Sequence, residues 1–143
     1  MRIAELTTPA EWRGAFAVLG QLRDHLSEEA YLSTLEEMTK AGYRLLALFE
    51  DDEIVAAAGV GIGLNFYYGK YMWVYDLVTS ERHRSRGHGR ALLEHVEWVA
   101  RAEGCETLAL SSGLQRKDAH RFYEDKMGYE KASYAFKKDL TGP

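Results

Sequence analysis

The sequence predicts an α/β domain with the element order β-α-α-β-β-β-α-β-α-β. Three observations predict it. Apolar residues recur at helical spacing in two blocks near the N-terminus, and helical segments follow residues 89 and 118. Compact apolar runs bounded by glycine or acidic turns lie between these blocks and read as strands. Neither a repeat nor a linker-like stretch interrupts the 143 residues, so one domain spanning 1–143 is expected.

The elements follow in order. Arg2 to Glu5 is a short strand. Thr7-Thr8-Pro9 is a helix start, with a threonine cap and proline in the first turn. Trp12, Phe16, Leu19 and Leu22 form one face of that helix. Ser27-Glu28-Glu29 opens a second helix whose stripe is Tyr31, Leu32, Leu35 and Met38, stopped at Gly42. Tyr43 to Phe49 is a strand, Asp51-Asp52-Glu53 a turn, and Ile54 to Gly63 a long strand of small residues. Leu64 to Lys70 is a hairpin loop, and Met72 to Thr79 the next strand. The helix from Gly89 to Ala102 aligns Leu92, Val96 and Val99, and Gly104 ends it. Thr107 to Ser111 is a short strand, Asp118 to Met127 a helix stopped by Gly128, and Tyr129 to Lys138 a last strand.

Composition narrows the function. Hydrophobic residues are 46% and charged residues 28%, with only 2 prolines, which argues against a disordered chain. The formal net charge of -4 is the wrong sign for a sequence-independent nucleic-acid binder, so no nucleic-acid partner is expected. The lone Cys105 excludes an intramolecular disulfide and a cysteine zinc cluster, and fits a reducing compartment. No His/Asp/Glu cluster has ligand spacing, so no metal is expected. No signal-like segment and no membrane-length apolar run occur, so the expected location is cytoplasmic, with no membrane partner.

The run from Tyr75 to Leu93 carries the chemistry. A strand enters a basic glycine loop, Arg84-Ser85-Arg86-Gly87-His88-Gly89, and a helix leaves it. Such a loop aims backbone N–H groups and a helix N-terminus at one spot, which suits a phosphate-bearing ligand. A Cβ at Gly87 or Gly89 would obstruct that approach, and Arg84 and Arg86 add charge-assisted donors. A solvated basic turn would show the same residues, but the flanking strand and amphipathic helix are what phosphate binding requires. Neither G-x-G-x-x-G nor a P-loop lysine is present, which removes the dinucleotide and nucleoside-triphosphate readings.

The loop matches R-x-x-G-x-G and resembles the pyrophosphate loop of the GNAT superfamily of N-acetyltransferases. The element order resembles that fold from end to end. The resemblance implies a mixed, mostly antiparallel twisted sheet flanked by helices, and acetyl-CoA as co-substrate. It assigns coenzyme binding to Arg84, Ser85, Arg86, Gly87, His88, Gly89 and Arg90, and to the backbone of Leu77 and Thr79 on a splayed strand. The family's usual aliphatic residue is replaced here by Thr79, which matters little for backbone contacts. A homodimer is compatible with the resemblance.

Ala119-His120-Arg121-Phe122-Tyr123, followed by Gly128-Tyr129, resembles the family's second motif. The resemblance implies that this helix approaches the coenzyme sulfur, where the Tyr123 phenol is the candidate acid for the departing thiolate. Core packing is the competing reading for Tyr123 and the preferred one for Phe122. Arg116 stands where the family often has a coenzyme-contacting asparagine, and is assigned to a phosphate instead.

The expected reaction is acetyl transfer to a primary amine by direct attack in a ternary complex. A lysine-like amine is only about one part in a thousand neutral near pH 7.4, a cost of ~4 kcal/mol, so a base matters. Asp76, on the strand entering the loop, is the candidate base; strand-end hydrogen bonding is its competing reading. Asp24, Glu28 and Glu29 with Phe66, Tyr67 and Tyr68 are candidates for attracting and stacking a cation, against a solvated acidic turn and a surface hairpin. The rivals are a non-catalytic acyl-CoA-binding or regulatory module, and an enzyme using a longer acyl donor over Gly59, Gly61 and Gly63.

Overall fold

A computed structural model describes residues 1–142. The chain divides into two compact units, Met1–Leu110 and Ser111–Pro143.

The first unit contains β1 (Arg2–Leu6), α1 (Pro9–Leu22), α2 (Glu28–Lys40), β2 (Arg44–Glu50), β3 (Glu53–Asn65), β4 (Gly69–Thr79), α3 (His88–Ala102) and β5 (Thr107–Leu110). The sheet order is β1-β2-β3-β4-β5. Neighbours from β1 to β4 run antiparallel, and β5 runs parallel to β4. This is the mixed, mostly antiparallel sheet expected.

Local chemistry sets the helix starts. Thr8 caps α1: its hydroxyl accepts from the Glu11 N–H, and Glu11 accepts from the Thr8 N–H, closing a capping box ahead of Pro9. Ser27 caps α2 by accepting from the Ala30 N–H. On one face of the sheet, Trp12, Ala15, Val18 and Leu19 of α1 and Tyr31 and Leu35 of α2 bury against Leu45, Ala47, Ala57 and Val78. The Trp12 indole N–H donates to the Leu6 carbonyl and the Tyr31 hydroxyl to the Trp12 carbonyl, so both rings bury with satisfied polar atoms. α3 packs over β2, β3 and β4, with Leu92, Leu93 and Val96 fully buried.

The β3–β4 hairpin is longer than the sequence suggests. Pairing continues through Leu64↔Lys70 and Asn65↔Gly69, leaving only residues 66–68 as the tip. There the Asn65 side chain accepts from the Tyr68 N–H, and Gly69 takes φ 74°, a turn chemistry that lets the strands extend.

The second unit contains α4 (Lys117–Arg121), which widens into a π-helical turn over Phe122–Lys126. The expected last strand, Tyr129 to Lys138, is not formed, and the described residues hold five strands rather than six. An extended run becomes a strand only by sharing a hydrogen-bond ladder. Residues 130–140 share none, and all of them are exposed.

Candidate active site

The Arg84–Gly89 loop has the backbone form that its glycines and flanking elements lead one to expect. β4 ends at Thr79, and the Ser80 N–H donates to the Val55 carbonyl. A 3-10 turn, Glu81–His83, follows, pinned to α1 by the Glu81 N–H donating to the Gln21 side-chain carbonyl. Ser85 and Gly87 both adopt left-handed backbone, at φ 65° and φ 80°. Alternating handedness of this kind turns successive N–H groups toward one side. α3 begins at His88 with Gly87 as N-cap and without a side-chain cap. The N–H groups of His88, Gly89 and Arg90 therefore open the helix with no intrahelical acceptor. Arg84, Ser85, Arg86 and Arg90 are exposed around this terminus.

His88 behaves differently from its neighbours. Its side chain turns inward, with Nδ1 3.9 Å from Glu50 Oε1 and the ring 6.3 Å from the His83 ring. Its imidazole is buried, so its contribution at the loop surface is its backbone N–H. Arg82 and His83 both pair with Glu53, which ties the start of the loop to the β2–β3 turn.

Leu77 and Thr79 lie where β4 has one free edge. β4 pairs with β5 only from Tyr71 to Val74. On its other side it stays paired with β3 out to Thr79. Among the described residues, backbone groups of the segment after Val74 have no ladder partner on the β5 side. A peptide-like ligand arm can use such an edge as a strand would.

Asp76 sits beside a bulge. Gly59 opposes Asp76 and Val60 opposes Val74, so Tyr75 is the extra residue. A bulge re-aims side chains, and here Tyr75 and Asp76 share the α1–α2 face. Asp76 Oδ1 accepts from Arg23 Nε at 3.0 Å, and Oδ2 accepts from the Tyr43 hydroxyl at 2.8 Å. Arg23, the C-cap of α1, also donates to the Tyr75 carbonyl at 3.1 Å. Burial and the Asp76 charge push the Tyr43 phenol well above its ordinary range, so it stays a donor. Burial, reinforced by the same charge, raises Tyr31 too. Sequence reading missed Arg23 and Tyr43. They lie 53 and 33 residues from Asp76, and only the packing of α1 on the sheet and the register of β2, β3 and β4 bring them to it.

Among the cation candidates, Glu28 pairs with Arg13 at 3.8 Å, and Asp24 and Glu29 are exposed. Phe66 and Tyr67 project from the hairpin tip, while Tyr68 packs toward Tyr71 with centroids 5.6 Å apart. The space above Gly59, Gly61 and Gly63 is filled by aromatic rings rather than open.

In the second unit, Tyr123 occupies the π-helical turn, between Phe122 at 5.4 Å and Tyr129 at 6.2 Å. Burial pushes its phenol up, and the Arg116 guanidinium draws it partly back. A π-turn stores a local irregularity that recurs at functional sites. Arg116 is exposed at the start of α4. His120 Nε2 lies 2.9 Å from the Gly113 carbonyl. No described helix is long and apolar enough to cross a membrane.

Comparison with known proteins identifies the family. Residues 10–129 match the model of the Acetyltransferase (GNAT) family. An uncharacterised N-acetyltransferase of Bacillus subtilis is 42% identical over 141 residues, covering 98% of this chain and 99% of its own. An aminoalkylphosphonate N-acetyltransferase of Salmonella typhimurium is 30% identical over 68% of this chain and 62% of its own. Among solved structures, an aminoglycoside N-acetyltransferase in complex with CoA superposes with a TM-score of 0.86 at 14% identity, over 99% of this chain and 95% of that one. The chain belongs to the GNAT acetyltransferase family and is an acetyl-CoA-dependent N-acetyltransferase.

Proposed function

We propose that the Arg84–Arg90 loop holds the coenzyme phosphates and that Asp76 and Tyr123 handle the protons of direct acetyl transfer to a primary amine. The observation that carries this reading is the uncapped N-terminus of α3 behind two left-handed residues, at the end of a strand whose edge is open. Exposed guanidiniums supply charge-assisted donors to phosphate oxygens, and the helix dipole adds roughly 0.3–1 kcal/mol. The pantetheine arm follows the Leu77–Thr79 edge, and Arg116 takes a phosphate.

The neutral amine nitrogen attacks the thioester carbonyl. The new C–N bond forms, and the C–S bond breaks as the tetrahedral adduct collapses. The nitrogen's proton passes to Asp76, directly or through one water, and the departing sulfur takes a proton from the Tyr123 hydroxyl. Arg23 and Tyr43 fix the Asp76 carboxylate in position beside the open edge of β4, which supports its use at the amine nitrogen. The raised Tyr123 phenol is fully protonated at neutral pH, which supports its use as a donor. Dependence on acetyl-CoA and a single cysteine support a cytoplasmic setting.

A thiol-release assay with acetyl-CoA across polyamines, amino acids, aminoglycosides, aryl amines and N-terminal peptides tests the reading, with calorimetry of acetyl-CoA binding beside it. Turnover with one amine class is expected. Tight coenzyme binding with no turnover on any amine would favour a binding module, and no binding would remove the loop assignment.

A further inference from the structure

The face of β3 that looks toward α1 and α2 carries Gly59, Gly61 and Gly63 in alternation. Each lies under an aromatic ring. A Cβ at Gly59 would overlap the Tyr43 hydroxyl, one at Gly63 would overlap the Tyr71 ring, and one at Gly61 would come 3.0 Å from the Tyr75 ring. The glycines are what allow these rings to lie down on the strand. Trp73 stands opposite Gly61 on the same face. Tyr71, Trp73 and Tyr75 follow one another along this face of β4: Tyr71 meets Trp73 at 6.4 Å, and Tyr75 meets the buried Tyr43 at 5.7 Å.

The β4 strip of Tyr71, Trp73 and Tyr75 is not core. Tyr75 is 50% exposed, and Tyr71 and Trp73 are each partly exposed, while Met72 and Val74 between them point to the other face and are buried. The strip ends in a charge. The bulge places Asp76 next to Tyr75 on the same side, its carboxylate 12% exposed. A carboxylate offers about four acceptor positions. Arg23 Nε and the Tyr43 hydroxyl each take one, so a further N–H donor can be accepted. Partly exposed rings leading to a nearly buried carboxylate form a receptor for a molecule with a flat apolar part and a cationic end.

We propose that the acceptor is an aryl-alkyl primary amine, its ring on Tyr71, Trp73 and Tyr75 and its ammonium on Asp76. The assignment rests on the acetyl-transfer reading above and names the substrate class for that site. A polyhydroxylated polycation such as an aminoglycoside would cover the rings with polar surface and gain little from them. An aliphatic amine of the same charge would reach Asp76 but leave the strip exposed.

The test compares 2-phenylethylamine and tryptamine with butylamine, spermidine and kanamycin. Each is titrated by calorimetry onto protein saturated with CoA, and each is assayed for thiol release with acetyl-CoA. The expected result is binding and kcat/KM at least tenfold better for the aryl amines. Trp73→Ala and Tyr75→Ala should each raise the 2-phenylethylamine Kd and KM at least fivefold, with acetyl-CoA affinity unchanged. Trp73→Phe, which keeps a ring, should recover most of the loss. Tyr75 is exposed enough for its alanine variant to fold even if the Trp73 variant does not. Equal treatment of aryl and aliphatic amines, or unchanged 2-phenylethylamine affinity in the Tyr75 variant, overturns the assignment. Failure of acetyl-CoA itself to bind overturns the phosphate-loop reading instead, and the same amine titrations without coenzyme still report on the strip.

Discussion

Arg23 Nε donates to Asp76 Oδ1 at 3.0 Å, joining the C-cap of α1 to the bulged strand β4. The pair is asymmetric. Arg23 is 45% exposed, whereas Asp76 is 12% exposed, so the carboxylate has the greater need of a partner. Arg23→Met keeps much of the stem and removes both donors. Among the described residues, Asp76 then retains only the Tyr43 hydroxyl as a side-chain donor. The expected loss lies between that of a surface pair and a buried one, about 1–3 kcal/mol. Thermal unfolding at two salt concentrations measures it. An unchanged Tm at low salt would mean that the pair contributes nothing.

Gly87 tests the loop without disturbing the core. Its φ of 80° disfavours a β-branched residue, yet a Cβ there meets no protein atom within 4 Å. Asparagine tolerates left-handed backbone, so Gly87→Asn should fold with near-native stability, while Gly87→Val should lose roughly 1–3 kcal/mol to strain. Both should weaken acetyl-CoA binding at least tenfold, because the added side chain stands where phosphate oxygens must approach. Native affinity in the asparagine variant would sink the assignment.

The fold was legible wherever local chemistry and burial agree. Thr8-Pro9 and Ser27 mark helix starts because capping is a local event, and the glycine loop is legible because its turn needs residues of a special kind. The Tyr129–Lys138 strand was misread because a strand is a property of two chains of residues, and its partner cannot be read from its own composition. Asp76 was visible as a carboxylate on β4, but Arg23 and Tyr43 were not visible as its partners. No local pattern records a hydrogen bond across 53 residues. The three glycines of β3 suggest room for a longer acyl donor, but the rings that fill that space come from positions outside β3 that no local pattern marks.

Tyr123→Phe removes one hydroxyl and keeps the ring against Phe122 and Tyr129. If the phenol protonates the departing sulfur, kcat should fall at least tenfold, or ~1.4 kcal/mol of barrier, with acetyl-CoA affinity nearly native. Because burial raises this phenol, its ionisation cannot depress the rate below about pH 10. A native kcat in the phenylalanine variant would remove Tyr123 from the mechanism. An alkaline fall in rate below that pH, equal in wild type and variant, would belong to another group.

Tyr43 links the site to alkaline stability. Its folded-state pKa is raised by burial first and by Asp76 second, above the unfolded value near 10. Below pH ~10 the phenol is protonated in both states, and its contribution is independent of pH. Above that, the unfolded chain releases the proton while the folded chain retains it. Unfolding then becomes more favourable by about 1.4 kcal/mol per pH unit for each such phenol, until the folded pKa is passed. Tyr31, raised in the same direction, adds a second such slope. Denaturant unfolding of wild type between pH 9 and 11.5 should therefore show stability falling with pH. Tyr43→Phe should be less stable at pH 8, because Asp76 loses a donor, yet should fall less steeply above pH 10. Parallel curves for wild type and variant would show that Tyr43 ionises in the folded protein as freely as in the unfolded chain.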